Sequence, residues 1–250
     1  GLLLTEGLHG MISQVEGLAK ALDLEYFHEK VELNNFWKFI PPKFTPIKNF
    51  VFKNKIQREF DIIISCGRKS VIPSIFLKKI SNKKIMNIHI QDPKVNFQNF
   101  DYIISPEHDS LKGENIITSK GAIHYLTSTE IEKKKNYLSD RLIKEKKIIT
   151  LILGGPNKYY TYSNQNILNI FSKISKQILN KDFQLIVIPS NRTPIKTIEL
   201  AKKFFSEEHL IIDRVDKNAY LSSLGVADYL IVTCDSSSMI SEAAITGKPL

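Results

Sequence analysis

The stretch D-Y-L-I-V-T-C-D-S-S-S-M-I-S-E-A-A-I-T-G-K-P-L, residues 228–250, decides the fold. Its early part, residues 229–233, is a short run of β-branched and apolar residues, which is typical of a buried strand. Asp235 and three serines follow, and apolar residues at helical spacing then continue up to Gly247 and Pro249, which end the helix. The stretch therefore predicts a strand, a tight polar turn and a helix that begins with hydroxyl groups.

The start of this helix has two interpretations. The three serines, Ser236, Ser237 and Ser238, together with Asp235, are residues that commonly cap a helix. The same helix start carries about half a positive charge and several unpaired N–H groups, which suit a phosphate or pyrophosphate. Glu242 lies four residues after Ser238, where a carboxylate could accept hydrogen bonds from sugar hydroxyls. The stretch alone leaves both interpretations open.

Composition predicts a globular protein without a membrane span. The chain has 250 residues, of which 42% are hydrophobic and 24% charged, and it is long enough for two modest domains. No apolar run approaches the roughly 20 residues that a transmembrane helix needs. The two cysteines, Cys66 and Cys234, each follow a predicted strand and do not resemble a disulfide framework or a metal site. We therefore expect a reducing, cytoplasmic location and no bound metal.

The formal net charge of +9 is compatible with several kinds of partner. Basic proteins attract nucleic acid, anionic membrane surfaces and phosphorylated substrates alike, and lysine-rich usage also follows from an AT-rich genome. No module that reads nucleic acid is recognisable, so we expect no specific nucleic-acid partner. Residues 34–50 are rich in aromatics and proline, which predicts either a hydrophobic lid over the core or an amphipathic patch that faces a partner.

Strands and helices alternate along the whole chain, which predicts α/β architecture. The first strand, residues 2–5, leads through a glycine-containing turn into an amphipathic helix, as at the opening of a doubly wound nucleotide-binding fold. A later strand, residues 61–65, ends at Gly67 and Arg68, which could hold an anion or form solvated surface. Candidate acids and bases at the ends of the early strands are His9, Asp92, His108 and Asp109.

The second half repeats the pattern with different loop residues. The predicted strand 148–153 passes into Gly154 and Gly155, and two glycines there would let the backbone approach a ligand closely. The strand 184–188 is followed by Arg192, whose planar fork suits phosphate, although a solvent-exposed loop arginine is the alternative.

A highly charged stretch separates the two halves and predicts the domain organisation. We expect a first domain at residues 1–130, a connecting helix at 131–146 and a second domain at 147–250. Because one more strand and helix would be expected after Leu250, the second domain is predicted to be incomplete.

Seven motifs in a fixed order resemble one family across the whole chain. They are G-L-H-G-M-I-S-Q-V-E-G-L-A-K-A-L from Gly7, S-C-G-R-K-S from Ser65, I-Q-D-P from Ile90, S-P-E-H-D from Ser105, G-G-P-N-K-Y-Y from Gly154, S-N-R-T-P from Ser190 and T-C-D-S-S-S-M-I-S-E-A from Thr233. This order resembles the mitochondrial-fission "elongated mitochondria" family, which comprises plant proteins and more numerous bacterial relatives. Ser13-Gln14 stands where an asparagine-glutamine pair is common in that family.

The two halves and the D-S-x-S-M-x-x-E-A-x-x-x-G-K-P ending also resemble the GT-B glycosyltransferase superfamily. That resemblance implies two Rossmann-like domains facing each other across a cleft, with metal-independent chemistry between them. It implies that the second domain binds a nucleotide-diphosphate sugar as substrate, with no cofactor, through residues already introduced: Gly154, Gly155, Arg192, Ser236, Ser237, Ser238 and Glu242. The base that deprotonates an acceptor would be one of His9, Asp92, His108 and Asp109.

Two functional hypotheses follow from the resemblance. The first is a glycosyltransferase or related nucleotide-sugar enzyme; a lipid-linked or envelope acceptor, reached from the inner face of a membrane, would fit the basic surface and the aromatic stretch. The second is a GT-B scaffold that has lost its chemistry and recruits a protein partner, as is associated with the plant members of the family. The polar groups and glycines at strand ends favour the first hypothesis.

Overall fold

The computed structural model describes residues 1–54, 56, 58–177 and 182–250. It divides the chain into two compact units, Gly1–Tyr125 and Leu126–Leu250. In each unit a parallel β-sheet is covered by helices on both faces. Among the described residues, no helix is long and apolar enough to cross a membrane.

The first unit contains a six-stranded parallel sheet with the strand order β2-β1-β3-β4-β5-β6. The elements are β1 (Leu2–Thr5), α1 (His9–Ala21), β2 (Phe27–Lys30), β3 (Ile62–Cys66), α2 (Val71–Ile80), β4 (Met86–Ile90), β5 (Tyr102–Pro106) and β6 (Ile116–Ser119). Because all neighbouring strands are parallel, their carboxyl ends lie along one edge of the sheet.

Both faces of this sheet are buried, which explains why its central strands read as continuous apolar runs. On one face, Val15 and Ala19 of α1 pack with Leu3 and Ile64. Residues that alternate with these along the strands point to the opposite face, where Ile63 and its neighbours pack against α2.

The edge strand β2 is displaced from its predicted position. Residues 24–27, apolar or aromatic except for Glu25, predict a strand, but pairing begins at Phe27, opposite Leu2. Leu24 and Tyr26 instead pack from the preceding loop onto the α1 face of the core. An edge strand with one partner needs fewer apolar residues, so hydrophobicity marks its position poorly.

The second unit contains a four-stranded parallel sheet with the order β10-β7-β8-β9. Its elements are α3 (Ser128–Lys134), β7 (Lys147–Leu153), α4 (Asn164–Gln177), β8 (Phe183–Pro189), α5 (Ile195–Phe204), β9 (Leu210–Ile211), α6 (Lys217–Val226), β10 (Tyr229–Val232) and α7 (Ser237–Ala244). One face of the sheet packs against Phe171 of α4 and Ala201 of α5, and the other packs against Ala219 of α6.

The stretch predicted as a connecting helix is part of the second unit. It forms α3 and then a 3₁₀ helix, Lys135–Arg141, in which Leu138 is buried in the core beside Ile148 and Ile186. The hydroxyl of Ser222 on α6 donates to Lys135 O (2.7 Å) and accepts from Leu138 N (3.1 Å). The division between the units therefore falls at Tyr125–Leu126, earlier than the predicted boundary, because this charged stretch still buries an apolar face.

In each sheet the strand order reverses at one place. The reversal lies between β1 and β3 in the first unit and between β7 and β10 in the second. In open α/β sheets, ligands bind beyond the carboxyl ends of the strands at such a switch point. These two places are therefore where each unit would hold a ligand.

Candidate functional site

The switch point of the second unit is organised around Asp235, whose side chain is only 1% exposed. One carboxylate oxygen accepts hydrogen bonds from Thr233 Oγ1 (2.6 Å) and the Tyr162 hydroxyl (2.7 Å). The other accepts from the Gly155 amide (3.1 Å) and from Arg192 Nη2 (2.8 Å). A single carboxylate thus joins the turns that follow β7, β8 and β10.

These contacts set the charge state of the cluster. Burial raises the pKa of Asp235, but the hydrogen bonds from Thr233, Tyr162 and the Gly155 amide and the charge of Arg192 outweigh it, so the pKa lies below the ordinary value. Burial also raises the pKa of Tyr162, and the hydrogen bond to Asp235 raises it further. Near neutral pH the cluster is therefore an ionised carboxylate held by a neutral phenol and a guanidinium.

The two glycines after β7 are required by protein contacts. A Cβ atom on Gly154 would lie 2.1 Å from the Asp235 carboxylate oxygens, and one on Gly155 would lie 2.0 Å from Arg192 O. Such distances are shorter than any tolerated contact, so only glycine lets this turn pack against its neighbours. The sequence suggested close approach of a ligand, whereas the structure shows close approach of two other loops.

Arg192 is anchored but not fully covered. Besides its ion pair with Asp235, Nη1 donates to Gly155 O (3.3 Å), and 40% of the side chain is exposed. Its loop is tied down by the hydroxyl of Thr193, which donates to the carbonyls of Leu153 (2.8 Å) and Gly154 (2.7 Å). Arg192, which the sequence predicts to bind phosphate, therefore forms an ion pair within the protein and also keeps one side of its guanidinium exposed to solvent.

The first turn of α7 contains the helix cap that one interpretation of its sequence predicts. Ser236 is the N-cap, since its hydroxyl accepts from Met239 N (3.5 Å) and its carbonyl accepts from Ile240 N (3.2 Å). The amides of Ser237 and Ser238 come earlier in the helix, where no intrahelical acceptor exists, and within the described residues they have no other partner. The turn therefore presents two free N–H donors at the switch point.

Glu242, one turn after Ser238 on α7, contacts the neighbouring helix α6. Its side chain is buried, and one carboxylate oxygen accepts a hydrogen bond from the Tyr220 hydroxyl of α6 (2.8 Å). The predicted sugar-binding carboxylate thus faces the neighbouring helix.

Lys248, in the G-K-P ending, binds the carboxyl end of helix α6. Its Nζ donates to Leu224 O (2.8 Å) and Gly225 O (2.6 Å) at the last turn of α6, and burial lowers its pKa. A cation at this position complements the negative end of the helix.

Several residues of the cluster were missed by sequence reasoning. Tyr162 and Thr233 are far apart in the chain, and no motif linked them to each other. Asn157 Nδ2 donates to Asp235 O (3.1 Å), while its Oδ1 accepts from the amides of Tyr159 (2.7 Å) and Tyr160 (2.9 Å). The sequence around Asp235 predicts only a helix cap; its position directly after a strand was the available signal.

The switch point of the first unit contains a carboxylate. Glu6 accepts from the Lys69 amide (3.0 Å) and forms an ion pair with Lys69 Nζ (2.8 Å). Gly67 has φ +93°, which favours glycine, and a Cβ there would lie 2.6 Å from the Met11 sulfur. Arg68 donates to the Lys38 carbonyl (2.6 Å). The predicted anion-binding residues Gly67 and Arg68 are thus engaged with protein groups beside a negative charge.

The candidate acids and bases all follow carboxyl ends of strands in the first unit, but they have different partners. Asp92 forms an ion pair with Lys94 and accepts from the Lys94 amide (2.8 Å). His108 Nε2 lies 3.8 Å from Asp109, which also accepts from Ser105 Oγ (3.3 Å). His9, at the start of α1, is exposed and makes an edge contact with the Tyr125 ring at 6.3 Å. The contact found between two of the four is that of His108 with Asp109, which are neighbours in the chain.

A further polar pair lies at the end of β4. Gln91 donates from Nε2 to Oε1 of the buried Gln14 (3.4 Å) and has φ +82°, a conformation that non-glycine residues rarely adopt. Ser13, beside Gln14, is also buried and accepts from the Tyr125 amide (3.4 Å). Among the described residues, no group of three or more His, Cys, Asp and Glu side chains could hold a metal ion.

The family model for Mitochondrial fission ELM1 matches residues 9–250. The chain belongs to the ELM1 family. An uncharacterized protein of Rickettsia prowazekii is 28% identical over a 233-residue alignment, and the match covers 76% of this chain and 63% of the relative. The Mitochondrial fission protein ELM1 of Arabidopsis thaliana is 22% identical over a 222-residue alignment, and the match covers 76% of this chain and 50% of the relative. The match thus spans less than two thirds of the length of either relative.

Solved structures with a similar fold include UDP-GlcNAc 2-epimerases. The UDP-GlcNAc 2-epimerase of Methanocaldococcus jannaschii superposes with a TM-score of 0.57 at 14% identity, covering 99% of this chain and 82% of its own. The S. aureus MnaA–UDP structure gives 0.57 at 15% identity, covering 99% and 77%. The Neisseria meningitidis epimerase bound to UDP-GlcNAc gives 0.57 at 12%, covering 99% and 81%. The prediction of an α/β protein with two Rossmann-like units of the GT-B type is confirmed.

Proposed function

We propose that the second unit binds a nucleotide-diphosphate sugar and that the protein is a metal-independent glycosyltransferase or a related nucleotide-sugar enzyme. The observation that carries this proposal is the pair of free amides, Ser237 and Ser238, at the switch point between β7 and β10. Two N–H donors at the positive end of a helix suit the oxygens of a diphosphate.

The Asp235 cluster supports this role by holding the turn rigid. Its carboxylate is buried and its charge is balanced by Arg192 and by three hydrogen bonds, so it adds little repulsion toward an anion outside. The exposed part of the Arg192 guanidinium adds positive charge. In this proposal Arg192 mainly positions the turn, and the backbone amides make the direct contacts.

The neighbouring structures favour uridine diphosphate sugars as the first ligands to test, since one of them contains UDP and another is bound to UDP-GlcNAc. For Glu242 to accept hydrogen bonds from ribose or sugar hydroxyls, it would have to exchange the hydrogen bond from the Tyr220 hydroxyl for one from the ligand.

In the same proposal the first unit supplies the acceptor side. Among His9, Asp92, His108 and Asp109, we favour the His108–Asp109 pair as the general base, because its imidazole and carboxylate lie next to each other, 3.8 Å apart. A lipid-linked or envelope glycan remains the acceptor class that we propose.

The alternative is a GT-B scaffold that recruits a protein partner and does no chemistry. The name of the Arabidopsis relative, a mitochondrial fission protein, favours it. The two hypotheses differ in one simple respect, because a scaffold does not require a nucleotide.

A thermal-shift screen tests the proposal. The chain is heated with UDP, UDP-GlcNAc and the corresponding adenine, guanine, cytosine and thymine compounds. A ligand at about 100 times its dissociation constant should add about 2.7 kcal/mol, or about 5–10 °C in Tm. A shift with a nucleotide diphosphate supports the enzyme hypothesis. The absence of a shift with every compound would contradict the site and favour the scaffold.

A further inference from the structure

Residues 34–53, which we call the aromatic-basic segment, connect β2 to β3 in the first unit and expose an unusual amount of apolar surface. Four phenylalanines in the segment are between 58% and 81% exposed: Phe36, Phe39, Phe44 and Phe50. Single exposed apolar residues are normal on a protein surface, but four phenylalanines within 20 residues call for an explanation.

The buried and half-buried residues of the segment anchor it, so that these four rings stay exposed to solvent. The half-buried Trp37 packs against the core, and its ring contacts those of Phe36 (5.0 Å between centroids) and Phe50 (5.9 Å). The end of the segment is fixed by the buried Phe52, which forms a bridge with Leu33. The exposed phenylalanines therefore extend from an anchored base.

The charge of the segment has one sign. It contains Lys38, Lys43, Lys48 and Lys53, all of them exposed, and no aspartate or glutamate. The whole chain, by contrast, has 26 acidic residues beside its 35 basic ones. A lysine every fifth residue thus alternates with the exposed rings.

We propose that the aromatic-basic segment docks on an anionic lipid bilayer. Aromatic rings are favoured at the level of the lipid headgroups, and lysines nearby are attracted to anionic headgroups. A protein partner is the weaker interpretation, because lysine is depleted at protein–protein interfaces.

The docking surface is joined to the carboxyl edge of the first sheet. Arg68, directly after β3, donates to the carbonyl of Lys38 within the segment (2.6 Å). A bilayer that contacts the segment would therefore lie close to the edge at which an acceptor is proposed to bind. This last step rests on the proposed function and would favour an acceptor carried by a lipid; the docking itself does not depend on it.

Vesicle flotation tests the docking. The full chain is mixed with vesicles of phosphatidylcholine alone, or with about 30% phosphatidylglycerol, at about 0.05 M and about 0.3 M NaCl. We expect binding to the anionic vesicles that weakens with salt. Phe39→Ser with Phe44→Ser should weaken it at least about tenfold, since two rings lose their burial. Lys43→Gln with Lys48→Gln should weaken it by about fivefold per lysine at low salt.

Matched controls distinguish binding by the aromatic-basic segment from a general effect of exposed apolar surface or of net charge. Ile195→Ser removes an apolar side chain that is 75% exposed in the second unit, and Lys133→Gln with Lys134→Gln makes the same charge change on α3. Both controls should float like the wild type.

Three results would overturn the proposal. These are failure of the wild type to float with anionic vesicles at low salt, wild-type flotation of the phenylalanine variant, and equal weakening by both lysine pairs. In the first case a protein partner becomes the better explanation of the exposed rings. The phenylalanine variant should keep any nucleotide-induced thermal shift, so failure of docking is distinguishable from failure of the donor site.

Discussion

At the scale of single residues, Asp235 is the side chain on which most of the second unit's switch point depends. Its carboxylate is buried and accepts hydrogen bonds from two other loops, the one that follows β7 and the one that follows β8. Its sequence neighbours indicated only a helix cap, because the residues that surround it come from distant loops. The role of Asp235 therefore became visible only in the folded structure.

Replacing Asp235→Asn should destabilise the protein by about 3 kcal/mol, because the amide turns N–H groups toward donors and leaves Arg192 without its counter-charge. Urea denaturation followed by far-UV circular dichroism measures the change. Asp213→Asn is the matched control, since its ion pair with Lys202 (3.6 Å) is exposed and should contribute less than about 1 kcal/mol. Equal losses in the two variants would contradict the assigned role.

The depressed pKa of Asp235 also predicts a pH dependence. Because the carboxyl group binds its proton less readily in the folded state, its contribution to stability is complete above its ordinary pKa of 3.8 and is lost as the pH falls through the lower folded value. Asp235→Asn should remove this part of the acid sensitivity. Stability curves measured between about pH 5 and pH 2 test it; an unchanged acid slope in the variant would count against the argument.

The lowered pKa of the buried His89 predicts a second pH dependence of protein stability, at higher pH than that of Asp235. Burial lowers its pKa from 6.5 to about 3, and its Nδ1 lies 2.8 Å from Ser65 Oγ. The unfolded chain therefore takes up a proton first, and stability should fall by up to about 1.4 kcal/mol per pH unit as the pH drops from 6.5 toward 3. His89→Gln should flatten this slope, whereas His28→Gln, on the exposed side of β2, should retain it. A wild-type slope in His89→Gln would refute the prediction.

At the scale of elements, most residues of the Asp235 cluster lie in the turns that follow the strands and not in the helices. The turn after β7 can lie against Asp235 and Arg192 only because residues 154 and 155 lack side chains. Gly155→Ala should destabilise the protein by about 2 kcal/mol or more, because its Cβ would meet a backbone carbonyl and the loops would have to separate. Urea titration provides the measurement.

Gly225→Ala in α6 is the matched control for this turn. Its Cβ would lie 3.2 Å from Cγ of Lys135 and 3.4 Å from Cγ2 of Ile131, both of them side-chain atoms, and alanine favours the helix by up to about 1 kcal/mol. If Gly155→Ala proved as harmless as Gly225→Ala, the packing interpretation of the turn would be wrong.

The central elements were predictable from sequence because their residues are buried on both faces. Strands such as β1 and β7 are continuous apolar runs followed by polar or glycine residues. Their predicted positions differ from the structure by at most one residue. The edge strand β2 and the charged stretch before β7 were displaced, since each has only one buried side. Partial burial weakens the pattern on which sequence reasoning depends.

At the scale of the whole molecule, two parallel sheets with one switch point each explain why the candidate residues collect at carboxyl edges. The predicted fold class followed from the order of strands and helices. The candidate site followed only in part: the α7 turn was recognised, but Glu242 and Gly67 have protein partners. A single sequence does not show which side chains far apart in the chain will contact each other; the folded structure does.

The measurement that tests the central claim most directly is calorimetric binding of UDP to the wild type, Ser237→Ala and Ser237→Pro. Proline is tolerated at the first helical position and removes one free N–H, and the preceding Ser236 is already extended (φ −138°, ψ 105°). Ser237→Ala keeps that N–H. We predict that Ser237→Ala binds like the wild type, and that Ser237→Pro keeps its Tm but binds at least about tenfold more weakly. Equal affinity of Ser237→Pro and the wild type would contradict a diphosphate site at the start of α7.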